Sequence, residues 1–200
     1  MRFDKIVLLT ALSAALSVRT VSAQASAPQT FGTEPGQIPV LEAGVGYTFI
    51  HANAPPGQCG CFSASGGYGS VVFNMPRGFG VVADLTAVHA NNIAGATQSI
   101  TVFNYLFGPR YSFRTLSKRF VPYAQILGGG SQELSSYTAV QNVRGAAFSV
   151  GGGVSTTLKP HFGWTIVEAD WVHSYLPNAQ NNLQNDIRVS TGITFRLGPR

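Results

Sequence analysis

The segment from Asn185 to Gly198 has two sets of alternating positions with opposite character. One set holds Ile187, Val189, Thr191, Ile193, Phe195 and Leu197, and the other holds Arg188, Ser190, Gly192, Thr194 and Arg196. Because successive side chains of a β-strand point to opposite sides, this pattern predicts a strand with one apolar and one polar face. Such a strand fits a soluble sandwich, with its apolar face in the core, or a membrane barrel, with its apolar face against lipid.

The beginning of the chain has the features of a secretory signal peptide. Arg2 and Lys5 precede an apolar run that ends at Val18, and small residues then lead to a cleavage position after Ala23. The run is shorter than the roughly 20 apolar residues that a membrane-spanning helix needs. We therefore expect residues 1–23 to be a signal peptide that is removed, and residues 24–39, rich in Pro, Gly, Ser and Thr, to form a flexible periplasmic leader.

The composition favours a membrane barrel over a soluble domain. Charged residues make up only 10% of the chain, whereas soluble domains contain about 25%. No apolar run after Val18 is long enough for a transmembrane helix. Apolar residues at every second position are typical of strands that cross a membrane. The 13 basic residues are scattered rather than clustered, which argues against a nucleic-acid partner.

Alternating segments recur along the chain and predict eight strands in all. The predicted strands cover residues 41–50, 65–73, 79–89, 98–113, 120–130, 144–158, 163–176 and 185–198. In the fifth strand neither face is cleanly polar, and we expect Gln125 to point inward. In the seventh strand we expect Ile166 and Val172 to share the face of Glu168 and Asp170.

The connections between these strands alternate between long and short. The long ones are residues 52–62, 90–97, 131–142 and 177–184, and the short ones are residues 74–78, 114–119 and 159–162. An even number of strands with this alternation predicts an all-β, eight-stranded antiparallel up-and-down transmembrane β-barrel over residues 40–198. The long loops would lie outside the cell and the short turns in the periplasm.

Four blocks of the sequence resemble the small eight-stranded outer-membrane barrel family that includes the OmpA transmembrane domain and OmpX. The blocks are Gly108–Tyr111, Gly151–Val154, the pair Asp170 and Trp171, and Ser190–Gly198. The resemblance implies an integral outer-membrane protein of a Gram-negative cell envelope, surrounded by outer-membrane lipid. It also implies that the barrel assembly machinery recognises the last strand. Such signals usually end on an aromatic residue, whereas here Phe195 is followed by five more residues.

Charged residues on the predicted inner face form the candidate site. An eight-stranded barrel is just wide enough for side chains to fill its lumen, so opposite charges there are expected to pair into a network that plugs it. The predicted members are Glu42, Asp84, Arg110, Glu168, Asp170, Arg188 and Arg196. A path for protons or small ions through this network is the functional alternative. The sequence predicts no catalytic residue, no cofactor and no metal site.

Two further features of the sequence bear on catalysis and on disulfide or metal chemistry. His173 and Ser174 are adjacent, so they point to opposite sides of a strand. This argues against the Ser and His arrangement of outer-membrane lipid A deacylases. Cys59 and Cys61 lie in the first long loop, where an oxidising compartment permits a local disulfide clip. Two thiolates without further ligands do not complete a zinc site.

The sequence thus predicts a monomeric outer-membrane barrel that is not an enzyme and has a structural or surface-interaction role through its extracellular loops. Two alternatives stay open. One is a soluble periplasmic barrel that binds an apolar ligand, and the other is a narrow, porin-like channel for small solutes. The side on which the apolar residues lie distinguishes the soluble barrel from the membrane barrel.

Overall fold

The computed structural model describes residues 38–199, apart from 53–61, 92–98, 115–118, 137–141 and 177–181. The predicted signal peptide and residues 24–37 of the predicted leader lie outside the described residues, and the last leader position, Pro39, is the first residue of β1. Cys59 and Cys61, together with their predicted clip, also lie outside the described residues.

Eight antiparallel strands form one closed barrel. They are β1 (Pro39–Ala52), β2 (Phe62–Asn74), β3 (Phe79–Asn91), β4 (Ser99–Ser112), β5 (Phe120–Ser135), β6 (Asn142–Lys159), β7 (Phe162–Ser174) and β8 (Gln184–Pro199). Each strand pairs with its neighbours in the chain, and β8 pairs with β1 to close the barrel. The prediction of an eight-stranded up-and-down barrel is therefore confirmed. Among the described residues, no helix is long and apolar enough to cross a membrane.

The closing pair of strands shows how the alternation sets the two faces. Ile193 on β8 lies opposite Val45 on β1, and both side chains are exposed on the outside. Three residues further along β8, Arg196 lies opposite Glu42, and both are buried inside. Because side chains alternate along a strand that has no bulge, one register fixes the facing of every residue on such a strand.

The turn between β2 and β3 is tight and needs a glycine. Residues Pro76–Gly78 form a single 3₁₀ turn, as the Pro and Gly of the predicted turn indicate. Gly78 has φ +86°, in the left-handed region that favours glycine. A Cβ at this position would lie 2.6 Å from the carbonyl oxygen of Ser112, so any larger residue would displace the neighbouring chain.

The hairpin of β5 and β6 is longer than predicted. The expected loop at 131–142 is wrong in extent, because β5 continues to Ser135 and β6 begins at Asn142. The side-chain amide of Gln132 donates a hydrogen bond of 3.0 Å to Asn142 and links the two strands at this end. Three consecutive glycines at residues 128–130 carry no side chains that could reveal the alternation. Gln125 is buried inside, as predicted.

The seventh strand contains a β-bulge that the sequence did not reveal. The pairing of β7 with β8 shifts between Thr165 and Glu168, and the pairing with β6 shifts at the same place. As a result Thr165 and Glu168 are both buried, although three positions separate them, and Ile166 is only half-buried. The prediction that Ile166 shares the face of Glu168 is therefore wrong, because a bulge inserts one extra residue into the strand.

Candidate functional site

All seven residues of the predicted charge network lie on the inner face of the barrel. They are Glu42 on β1, Asp84 on β3, Arg110 on β4, Glu168 and Asp170 on β7, and Arg188 and Arg196 on β8. Arg188 is the most enclosed, with an exposed fraction of 0%. Removing a charge from water costs several kcal/mol unless it is paired and hydrogen-bonded, so each of these groups needs partners.

Arg188 is the centre of the first cluster. Its Nη1 lies 2.6 Å from Asp84 Oδ1, and its Nη2 lies 2.8 Å from Asp170 Oδ2. Glu168 lies 3.6 Å from the same Nη2, and Thr86 accepts a hydrogen bond of 2.8 Å from Nη1. Since Asp84 is on β3 and Arg188 on β8, these bonds connect separate parts of the wall through the lumen.

Arg110 extends the cluster across to β4 and β5. Its Nη2 donates to Gln125 Oε1 at 2.6 Å and lies 3.3 Å from Glu168 Oε2. The guanidinium sits 4.0 Å from the centre of the Tyr123 ring, close enough for a cation–π interaction. Tyr123 donates from its hydroxyl to Glu168 at 2.5 Å, and Gln125 donates to Asp170 at 3.1 Å. The polar groups of this region are thus joined into one network.

A second cluster lies at the end of the lumen where the short turns are. Glu42 Oε2 lies 3.2 Å from Arg196 Nε, and Glu42 Oε1 accepts a hydrogen bond of 2.7 Å from Asn74. Arg114 Nη2 lies 3.4 Å from Glu42 and donates to Asn74 at 3.1 Å. Arg196 also donates to Thr157. Together the two clusters join four arginines to four carboxylates, so their charges balance.

Arg114 is a member of the network that sequence reasoning missed. It follows β4 in a segment predicted as a turn, and it was not among the predicted members of the network. Burial lowers the pKa of the Arg114 guanidinium, and the neighbouring Glu42 carboxylate opposes that shift. The group stays charged at neutral pH because an arginine guanidinium is not deprotonated in proteins. Arg114 lies two positions beyond the inward Ser112, and continuation of the alternation past the end of β4 is the signal that could have identified it.

Apolar side chains fill the parts of the lumen that the charged side chains do not occupy. One buried group is formed by Ile50, Ala52, Ala64, Val88, Ala90 and Ile100, at the ends of β1–β4 nearest the long loops. A second is formed by Val72, Val82, Leu106, Leu127 and Ala147. The interior is therefore mixed, with ionic clusters and apolar clusters packed against different stretches of the wall. The charge network therefore occupies only part of the lumen.

The outer face carries large apolar side chains on every strand. Examples are Val45, Val71, Leu85, Phe103, Ile126, Val150, Trp164 and Ile193, one from each strand in order. Aromatic rings cluster near the turn end of the barrel, where Tyr111 packs edge-on against Phe79 at 5.0 Å and Phe113 at 4.9 Å. Near the loop end, Trp171 packs edge-on against Phe148 at 5.4 Å. Two aromatic zones that flank an aliphatic zone are typical of barrels that span a membrane.

Two kinds of chemical group considered from the sequence, a metal site and a pair of His173 with Ser174, are not formed by the described residues. No three His, Cys, Asp or Glu side chains of these residues converge on a metal position. His173 lies on the outer face, whereas Ser174 is 2% exposed and points into the barrel. The wall of the barrel separates the two side chains, so His173 is not placed to act as a base toward Ser174.

A closed eight-stranded barrel with charges inside and apolar side chains outside defines the class of the small membrane β-barrels. The chain has this fold. Neisserial surface protein A matches with a TM-score of 0.61 and 13% sequence identity, over 78% of this chain and 97% of that protein. Ail, the attachment invasion locus protein of Yersinia pestis, matches with a TM-score of 0.55 and 12% identity, over 78% and 97% of the two chains.

A third structure of the same kind covers more of the chain. The outer membrane protein AlkL, determined in lipid bilayers, matches with a TM-score of 0.50 and 11% identity, over 90% of this chain and 99% of that protein. No protein-family model matches the chain, and no curated protein sequence matches it significantly. The likeness therefore concerns the fold: an eight-stranded barrel of the outer-membrane type.

Proposed function

We propose that this chain is an integral outer-membrane protein whose barrel is a plugged scaffold that holds four loops at the cell surface. The observation on which this depends is the distribution of side chains between the two faces. An exterior of aliphatic and aromatic residues on all eight strands would be exposed to water in a soluble protein, and monomeric soluble proteins rarely expose apolar patches above a few hundred Å². Such an apolar surface is suited to contact with lipid.

The same distribution argues against the soluble ligand-binding barrel. A barrel that binds an apolar ligand needs an apolar cavity, whereas here Arg188, Asp170 and Glu168 occupy the middle of the lumen. It also argues against the narrow channel, because ionic bonds join β3 to β8 and β4 to β7 through the lumen. The network is thus proposed to be structural, with no part in conduction or catalysis.

The long loops are proposed to be the functional part. Their segments at 53–61, 92–98, 137–141 and 177–181 contain no charged residue and are rich in Asn, Gln, Ala, Pro and Gly. A partner would therefore recognise them by hydrogen bonds and shape rather than by charge. Ail, which shares the fold, is named for attachment and invasion, and a surface-interaction role is the corresponding proposal here.

We propose that the last strand, β8, directs the assembly of the barrel into the membrane. β8 closes the barrel against β1 over most of its length, so no strand edge is left to pair with another copy. We therefore propose a monomer, inserted by the outer-membrane barrel assembly machinery. The alternating residues of β8, which include Phe195, would be its recognition signal.

Membrane fractionation followed by electrophoresis with and without boiling tests the membrane assignment. We expect the protein in the outer-membrane fraction, with a shifted band before boiling. Ile193→Arg, in the middle of β8, should disfavour insertion by about 2–4 kcal/mol, whereas Leu197→Arg, near the strand end, should cost only about 0–1 kcal/mol. Recovery of the wild-type protein as a soluble periplasmic species, or equal assembly of both variants, would contradict the proposal.

The orientation can be tested with the chain's own cysteines. Cys59 and Cys61 are the two cysteines of the sequence and both belong to the first long loop. A membrane-impermeant maleimide should label them on intact cells after mild reduction. Labelling that appears only after reduction supports the disulfide clip, and labelling without reduction contradicts it. Labelling that requires cell lysis would place this loop on the periplasmic side.

A further inference from the structure

Outward-facing polar side chains mark the loop end of all four long hairpins. In each hairpin one pair bridges the two strands within the four strand residues nearest the loop. The pairs are His51 with Ser63 at 3.3 Å, His89 with Thr101 at 2.8 Å, Gln132 with Asn142 at 3.0 Å, and His173 with Asn185 at 2.8 Å. We call these eight residues the collar. It lies near the loop end of the outer face.

The outer face at this level carries positive but no negative charge. The described residues contain six carboxylates, Glu42, Asp84, Glu133, Glu168, Asp170 and Asp186, all at lumen-facing positions. Arg144, by contrast, is exposed on β6, two residues after Asn142. The four long-loop segments beyond the collar add no charge. The loop end of the outer face therefore presents one arginine and three histidines.

His173 has the most developed surroundings of the three histidines. Its ring lies 5.1 Å from Phe148, 5.6 Å from Trp171 and 5.0 Å from Tyr175. The Tyr175 ring is edge-on to the imidazole, and the other two rings are tilted against it. The Asn185 oxygen accepts from Nδ1, which leaves Nε2 as the nitrogen that a ligand would meet. Aromatic rings beside a cation at the edge of an apolar belt suit the headgroup region of a membrane.

We propose that the collar binds the phosphate groups of a phosphorylated lipid in the leaflet at the loop ends, and that acidic pH strengthens this binding. The inference rests on the proposed membrane location. Phosphate is the anion that a lipid surface offers to side chains at this depth, and positive charge without competing carboxylates is what it requires. Histidine has an ordinary pKa of about 6.5, so its charge rises between about pH 8 and pH 5.

The residues that face each histidine across the strands are uncharged. His51 faces Ser63 on β2 and Ile187 on β8. His89 faces Ser65 on β2 and Thr101 on β4 and contacts Asn91 on its own strand. His173 faces Phe148 on β6 and Asn185 on β8. None of these neighbours is ionised at neutral pH, and Arg144 is the one charged side chain on the outer face of β6 near this end.

The test uses purified barrel in detergent, titrated with bisphosphorylated lipid A and with its dephosphorylated form at pH 5.5 and pH 8. Native mass spectrometry counts the lipids retained per barrel. We expect phosphorylated lipid A to bind at least about threefold more tightly at pH 5.5 than at pH 8. The dephosphorylated form should bind weakly at both pH values. In a Trp164→Phe background, emission from Trp171 should change on binding, because Trp171 lies beside His173.

Histidine variants decide the outcome. The triple variant His51→Gln, His89→Gln, His173→Gln should lose the pH dependence, and Arg144→Gln should weaken binding at both pH values. His161→Gln is the matched control, because His161 is the one remaining histidine of the chain and lies at the turn end of the barrel. Equal binding of the dephosphorylated lipid, or a pH dependence that survives the triple variant, would overturn the inference. A barrel that does not insert into lipid vesicles at all would instead contradict the proposed function.

Discussion

Arg188 contacts three carboxylates within a lumen that excludes water from it. Each of its bonds is charge-assisted, and the two short ones lie at 2.6 and 2.8 Å. Such a cluster adds little stability compared with an apolar core of equal volume, but loss of one partner leaves the others charged and unpaired. The arginine is therefore the residue whose removal should affect the barrel most.

Arg188→Met should lower the unfolding free energy by about 3–5 kcal/mol, because Asp84 and Asp170 would lose their counter-charge. The measurement is the urea midpoint of the refolded barrel. Adding Asp84→Asn and Asp170→Asn should recover part of the loss, since the unpaired charges are then gone. Lys159→Met, on an exposed residue at a turn, should leave the midpoint within about 0.5 kcal/mol. An unchanged midpoint for Arg188→Met would show that the ionic cluster is absent.

Inward glycines make room for inward tyrosines. Gly46 lies directly opposite Tyr68 on β2 and Gly192 on β8. A Cβ on Gly46 would lie 2.7 Å from the Tyr68 ring and 2.5 Å from the Gly192 backbone. The sequence suggested that strand glycines permit bending, but at this position the glycine is needed because a large side chain occupies the space beside it.

Gly46→Ala should therefore destabilise the barrel by about 1–3 kcal/mol through overpacking. Gly128 provides the matched control, because a Cβ there would meet nothing within 4 Å. Gly128→Ala should be neutral or slightly stabilising, since alanine loses less backbone entropy on folding than glycine. Both effects can be read from the temperature at which the unboiled gel band is lost. Equal tolerance of the two substitutions would mean that Tyr68 does not pack against Gly46.

At the level of the strand, the bulge in β7 decides which residues reach the lumen. Without it, Thr165 and Glu168 would lie on opposite faces, because an odd number of steps separates them. With it, both point inward, and Glu168 reaches Arg110 and Tyr123. Ile166, the extra residue, leaves the facing of Glu168 unchanged because the strand pairing shifts on both sides of β7, with β6 and with β8.

Deletion of Ile166 should be tolerated. It removes the extra residue, so the ladders with β6 and β8 become continuous while Thr165 and Glu168 keep their facing. Deletion of Ala169, three positions further along the same strand, should abolish folding, because it reverses the facing of the residues beyond it. The measurement is the fraction of heat-modifiable protein after refolding. A folded Ala169 deletion, or an unfolded Ile166 deletion, would contradict this assignment of the bulge.

For the whole molecule, alternation in the sequence was sufficient to predict the barrel, its strand number and the facing of the seven charged residues. These depend on local geometry, since the alternation within each strand shows which of its residues share a face. The partners of Arg114 and Tyr123 could not be predicted in this way. They depend on which residues of distant strands reach the same depth of the lumen, and that depends on the stagger around the closed barrel. The bulge at Ile166 was hidden because Thr165, Ile166 and Val167 fit either facing.

Ionic clusters fill part of the lumen and apolar clusters fill other parts of it, and this arrangement predicts a barrel without conductance. In planar bilayers at neutral pH, the wild-type protein should show no ion-conducting steps. Ile50→Ser, Val88→Ser and Ile100→Ser together make the apolar cluster near the loops polar. This triple variant should also stay silent, because the bonds of Arg188 and Arg110 still cross the lumen. Steps in the wild type would favour the channel, and steps in the variant alone would show that the apolar cluster provides the seal.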